Sequence, residues 1–195
     1  PASMGALLNA VAAFLSGACL HRVDIAAEGL TGVLDRIEAA SITAVIGVPA
    51  LYRALCRVDG ATAQMRSLRL VSSNGDALLT ADLEALRTAL PASCHIQMIY
   101  GATETQAAMR FVPRDEVPSG AQVAAGKPIP GVQWAILDDD GRPVPAGDVG
   151  ELWIRSRYTA IGEWEGGVCV PGRLAVDDGG FRRYAMGDLV RVRGD

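Results

Sequence analysis

Tyr100-Gly101-Ala102-Thr103-Glu104-Thr105 follows an apolar run, Cys94-His95-Ile96-Gln97-Met98-Ile99, that reads as a short buried strand punctuated by Gly101. In open α/β sheets, ligands bind beyond the carboxyl ends of the strands. There Tyr100 can stack on a flat ring, Gly101 can let backbone approach a ligand, and Glu104 can hold a divalent cation. The same six residues also suit a polar turn beside a buried tyrosine, so the surrounding chain decides.

Upstream, helix and strand signals alternate. Gly5 to Leu15 is Ala/Leu-rich and helical, and Cys19 to Val23 is expected as a short strand. Leu30, Val33, Leu34 and Ile37 recur at helical spacing, predicting an amphipathic helix that ends near Ala40. A strand over Ile42 to Ile46 is followed by a helix opened by Pro49, since proline is tolerated in a first turn. Leu68 to Val71 reads as another strand. Leu83, Leu86 and Leu90 mark a helix capped near Thr80 and stopped by Pro91. This βα alternation predicts an α/β fold with a mostly parallel sheet layer.

Downstream the texture changes. Prolines and glycines become dense and short β-rich runs replace helical periodicity. Val132 to Leu137 and Val149 to Arg155 flank a polar turn, Asp138-Asp139-Asp140-Gly141-Arg142-Pro143. Arg182 to Tyr184 and Leu189 to Val192 are expected as two further strands. The expected boundary lies at 113–120, giving an α/β layer over 1–115 and a smaller β-rich subdomain over 116–195.

The 195 residues can bury a substantial core. No uncharged apolar stretch of ~18 residues could span a bilayer, and the start lacks a basic n-region. A cytoplasmic protein without membrane contact is expected. The net charge is −4 and the basic residues are scattered, so a nucleic-acid partner is not expected. Seventeen of the basic residues are arginines and only Lys127 is a lysine, so lysine chemistry has one candidate. Cys19, Cys56, Cys94 and Cys169 lie far apart, against a zinc site or a disulfide framework. His21 and His95 are isolated and read as structural.

Gly120-Ala121-Gln122-Val123-Ala124-Ala125-Gly126-Lys127 nearly spells a phosphate-binding loop. Pro128 stands where Ser or Thr should meet Mg²⁺, and no apolar strand leads in, so a P-loop is rejected. Asp138, Asp139 and Asp140 read as a solvated turn, and Asp177 with Asp178 as a loop. Asp188 differs: after Gly187, between strand-like runs, its carboxylate could accept two hydrogen bonds from vicinal ribose hydroxyls, or be a turn aspartate.

Taken in order, these segments resemble the adenylate-forming family, specifically adenylation domains of nonribosomal peptide synthetases. The resemblance rests on Ser72-Ser73-Asn74-Gly75-Asp76-Ala77-Leu78, Tyr100 to Thr105, Gly126-Lys127-Pro128-Ile129, Pro145-Ala146-Gly147, Gly150-Glu151-Leu152-Trp153-Ile154-Arg155 and Tyr184 to Leu189. It covers essentially the whole chain and implies part of the large N-terminal subdomain of such a domain. It implies ATP and Mg²⁺ as cofactors, Tyr100 on adenine, and Gly75, Asp76 and Gly101 lining the nucleotide. Thr103 would contact phosphate or acyl oxygens, Glu104 would coordinate Mg²⁺ and Asp188 would hold the ribose. The implied reaction is attack of a carboxylic acid on the α-phosphate of ATP, then transfer of the acyl group to a carrier-protein phosphopantetheine thiol.

Departures matter too. Neither the family's Gly/Ser/Thr-rich phosphate loop nor its C-terminal catalytic lysine occurs here, and Lys127 is not placed to replace the latter. The chain resembles the middle of an adenylation domain, with N- and C-terminal parts missing, and little activity is expected of it alone. Ala185 and Met186 stand where the family has Arg and Thr. The family register puts the acid pocket at Met4, Gly5, Leu8, Gly47, Ser72, Asn74, Ile99, Ala107 and Ala108. Met4 replaces the aspartate that amino-acid activators use to hold an α-ammonium, which implies an acid without that group or a small amino acid bound otherwise. The alternative is a catalytically inactive remnant serving as a binding or docking module.

Overall fold

A computed structural model of the chain describes residues 4–111, 120–171, 174–177 and 179–192. The chain divides into two units, Pro1–Tyr100 with Arg110–Lys127, and Gly101–Met109 with Pro128–Asp195. Apart from Gly120, the boundary expected at 113–120 lies outside the described residues.

The first unit carries helices α1 (Met4–Leu15), α2 (Ile25–Ala39), α3 (Pro49–Leu55), α4 (Ala61–Gln64) and α5 (Thr80–Ala89) with strands β1 (Ala44–Gly47), β2 (Leu70–Asn74) and β3 (His95–Ala102). β1 pairs in parallel with β2, and β2 with β3, as the βα alternation predicts. Val33, Leu34 and Ile37 of α2 are buried together with Leu55, Leu83, Leu86 and Ile96, the helical stripe meeting the sheet. Asp24 starts α2 by accepting the N–H groups of Ala26 and Ala27 at 3.1 and 3.3 Å.

Pro49 opens α3 as expected. Tyr52, 2% exposed, donates its hydroxyl towards the carbonyls of Ser72 at 2.7 Å and Val45 at 3.1 Å, tying α3 beneath β1 and β2. The cap of α5 is Leu79, one residue before Thr80. Its N–H donates to Asp82 Oδ2 at 3.4 Å, the half of a capping box that needs no cap side chain. Asp82 also takes a bidentate bond from Arg53, both contacts 2.7 Å, which joins α3 to α5.

The expected strand over Cys19 to Val23 does not form: residues 18–24 are irregular. A strand needs a neighbour for its backbone groups, and this segment has none among the described strands; it delivers the chain to the Asp24 cap.

After the two-residue strand β5 (Lys127–Pro128), β6 (Val132–Leu137), β7 (Gly150–Ser156), β10 (Leu174–Val176) and β11 (Arg182–Val190) of the second unit form an antiparallel sheet in the order β10-β11-β7-β6. A small hairpin pairs β8 (Glu163–Glu165) with β9 (Val168–Val170). Asp138 Oδ1 accepts the N–H groups of Asp140 and Arg142 at 3.0 and 2.8 Å, which builds the expected polar turn. The two strands expected over Arg182 to Tyr184 and Leu189 to Val192 are one strand, β11, whose pairing with β7 slips between Ala185 and Leu189. The glycine at 187, with φ +79°, permits the bulge without breaking the strand. Asp177 lies in the expected loop after β10 and accepts a hydrogen bond from Arg155, whose guanidinium lies 4.0 Å from the Phe181 ring centroid.

Candidate functional site

In the first unit, the candidate residues gather where parallel strands end. β2 stops at Asn74, and Gly75 turns with φ +79°, its open side meeting only Val48 Cγ1 at 3.6 Å. Asp76 is exposed, and its Oδ1 accepts the Ala77 N–H at 2.7 Å. Tyr100 is half-buried near the end of β3. Gly47 closes β1, so Gly47, Gly75 and Tyr100 stand at the carboxyl ends of three neighbouring parallel strands. That is the edge where an α/β sheet receives ligands.

Of the expected acid-pocket residues in this unit, Ser72 is 3% exposed, with Oγ accepting from Gln97 Nε2 at 3.0 Å. Asn74 and Ile99 are half-buried. Met4 begins α1, on which Gly5 and Leu8 are exposed. A small apolar void lies in the core between Ile37, Tyr52, Leu68 and Leu86, and the candidate residues are not among those that line it. The rejected phosphate-loop segment runs beside the start of α5. There Thr80 donates its hydroxyl to the Gly120 carbonyl at 2.5 Å, and the Val123 N–H donates to the Leu78 carbonyl at 2.9 Å.

In the second unit, the chain leaves β3 through Gly101 and Ala102, turns through Thr103 to Thr105, and returns as β4 (Gln106–Phe111). A Cβ at Gly101 would lie 1.7 Å from the Gln106 carbonyl oxygen, so only glycine admits this turn. Thr103 is exposed and Glu104 half-buried, while Thr105 is 2% exposed. Thr105 Oγ1 accepts the Ala102 N–H at 3.0 Å, and Gln106 Nε2 donates to the Thr103 carbonyl at 2.8 Å. The Ala160 N–H donates to the Glu104 carbonyl at 2.7 Å. Those bonds fix the turn's backbone and leave the Glu104 carboxylate outside the hydrogen bonds that shape it.

Asp188 lies exposed in the β11 bulge, and Thr105 Oγ1 reaches Met186 Sδ of the same bulge at 3.8 Å. The unit thereby brings the Thr103-Glu104 turn and the Asp188 bulge to the two ends of one side-chain contact. Ala107 is half-buried and Ala108 fully buried on β4. Among the described residues no group of three or more His, Cys, Asp or Glu gathers. Glu104 is outside any such cluster.

The family described as AMP-binding enzyme matches residues 2–164. The chain belongs to the AMP-binding enzyme family. The fatty acid–[acyl-carrier-protein] ligase ScoC of Streptomyces coeruleorubidus is 34% identical over 67% of this chain. The L-proline–[L-prolyl-carrier protein] ligase of Streptomyces coelicolor is 31% identical over 72%. The anthranilate CoA ligase AuaEII, solved in complex with anthranoyl-AMP, aligns with a TM-score of 0.73 and 27% identity over 91% of this chain and 32% of its own. This AMP-binding chain spans about a quarter of the two ligases, 25% and 27% of their lengths.

Thr105, Gln106 and Met186 are not among the site residues that the sequence points to. Thr105 sat in view inside the motif, but spacing cannot say which hydroxyl of a turn points inward. Gln106 adopts φ +59°, a left-handed conformation that no residue pattern announces in a non-glycine. Met186 read as a departure from the family, and it serves as a packing partner.

Proposed function

We propose that this chain supplies the nucleotide- and acid-binding part of an enzyme that activates a carboxylic acid as its acyl-adenylate. The observation that carries the reading is the contact, within one unit, between the Thr103-Glu104 turn and the Asp188 bulge in a chain of the AMP-binding family. Tyr100 stacks on adenine, with Gly75, Asp76 and Gly101 beside it. Asp188 accepts the ribose hydroxyls, a charge-assisted pair that sets the sugar's orientation. Thr103 donates its hydroxyl to a phosphate or acyl oxygen. Glu104 holds Mg²⁺, which neutralises phosphate charge when bound.

The substrate carboxylate oxygen attacks the α-phosphorus, the bond to the β-phosphate oxygen breaks, and pyrophosphate leaves. The residues named here orient the reactants and stabilise developing charge, which is most of what phosphoryl-transfer catalysis requires. The acyl group then passes to a carrier-protein thiol with loss of AMP.

The acid is one without an α-ammonium, or a small amino acid bound otherwise, because Met4 offers no charge to compensate a buried ammonium. The relatives' names span both classes, a fatty acid and L-proline, so the support for this choice is Met4 itself. Nucleotide titration calorimetry on the full gene product tests the site. AMP should bind, and Asp188→Ala should weaken it about tenfold; unchanged binding would remove Asp188 from the site. Acid-dependent activity confined to ordinary α-amino acids would overturn the substrate class.

A further inference from the structure

The turn that carries Thr103 and Glu104 is over-determined by its neighbours. Gly101 excludes a side chain, Gln106 is held at φ +59° and bonded to the Thr103 carbonyl, and Ala160 holds the Glu104 carbonyl. Thr105 does something different, because it faces two elements at once. Its Oγ1 accepts the Ala102 N–H at 3.0 Å, which directs its single proton away from Ala102. That proton has the Gln106 carbonyl at 3.4 Å and Met186 Sδ at 3.8 Å as acceptors.

Met186 lies two residues before Asp188, in the stretch where β11 loses register with β7. Ladder hydrogen bonds do not fix that stretch in the way they fix the rest of β11. A thioether is a weak acceptor but a soft and adaptable packing surface, so the contact acts as a spacer between turn and bulge.

We infer that Thr105 and Met186 are a positioning pair that registers the Glu104 turn against the Asp188 bulge, an inference that rests on the nucleotide reading above. A ligand that engages both groups, MgATP, depends on the pair. Adenosine, which uses the ribose contact but has no phosphates for Glu104 to serve through a metal, does not.

The test is titration calorimetry of the full gene product with MgATP and with adenosine, with urea midpoints recorded for every variant. Thr105→Val keeps the shape and removes the hydroxyl; it should weaken MgATP about fivefold, the worth of one hydrogen bond. Adenosine should stay within about twofold of wild type, and Thr105→Ser should restore MgATP binding. Met186→Ala should show the same selective loss, and in the double variant the two losses should not add. Equal losses for both ligands, strictly additive losses, or unchanged MgATP binding in Thr105→Val would each overturn the pair while leaving the nucleotide reading intact. A wild-type protein that binds neither ligand would overturn that reading and the pair with it. Should Thr105→Val fail to fold, the selectivity of Met186→Ala decides alone.

Discussion

Gly101 owes its place to the backbone of Gln106, which takes the volume any side chain would need. Gly101→Ala forces a Cβ to 1.7 Å from the Gln106 oxygen, so the hairpin must open. We expect a loss of about 3 kcal/mol or more in urea unfolding, accompanied by loss of nucleotide binding. Ser73 gives the opposite case. It is fully buried on β2 and its hydroxyl has no hydrogen-bond partner among the described residues. Ser73→Ala removes an unsatisfied polar atom, so stability should hold or rise by about 1 kcal/mol; a clear loss would mean that a bound water serves that hydroxyl. Tyr52→Phe should cost about 1–2 kcal/mol, because it removes the one donor shared by the Ser72 and Val45 carbonyls.

Between elements, the Arg53–Asp82 pair joins α3 to α5 while Asp82 closes the N-terminus of α5 through the Leu79 N–H. The hydrogen bonds from Arg53 hold the Asp82 carboxyl below its ordinary value near 3.8, with a further contribution from the Arg53 charge. Its folded value is depressed, so its stabilisation is complete above the unfolded value and is lost as pH falls through the folded one. Asp82→Asn should cost about 1–2 kcal/mol at neutral pH, moderated by solvent around the half-exposed Arg53. The variant should also lose less stability than wild type between roughly pH 5 and 2. Parallel acid-denaturation curves for the two proteins would show that the pair is not a coupled element of the fold.

Element identity was legible wherever a single period ruled. The Leu30–Ile37 stripe and the apolar runs of β2 and β3 need only local patterning to declare themselves. The Cys19 to Val23 segment misled because its residues suit a strand while the sheet offers it no neighbour. β11 misled in the other direction: Met186-Gly187-Asp188 looks like a turn between two strands, and pairing with β7 on both sides of it makes one bulged strand. Edge and register are tertiary properties, which no local window contains.

At the scale of the whole chain, the first unit takes back residues 110–127 after the second has begun. The described part of that return is held by backbone pairing between Leu78–Thr80 and 120–123, a long-range contact that no local change of composition announces. Tyr100, Thr103, Glu104 and Asp188 stand out in the sequence by chemistry and order, and their roles are the reading proposed above. What remained hidden was the candidate site's support, since Thr105, Gln106 and Met186 act through inward contacts. The central claim is that these residues serve acid activation. It is tested most directly by exchange of labelled pyrophosphate into ATP, catalysed by the full gene product across a panel of carboxylic acids. The account predicts exchange that depends on the acid and falls at least about a hundredfold in Glu104→Ala. Exchange with no acid on the panel, or exchange undiminished in that variant, would contradict it.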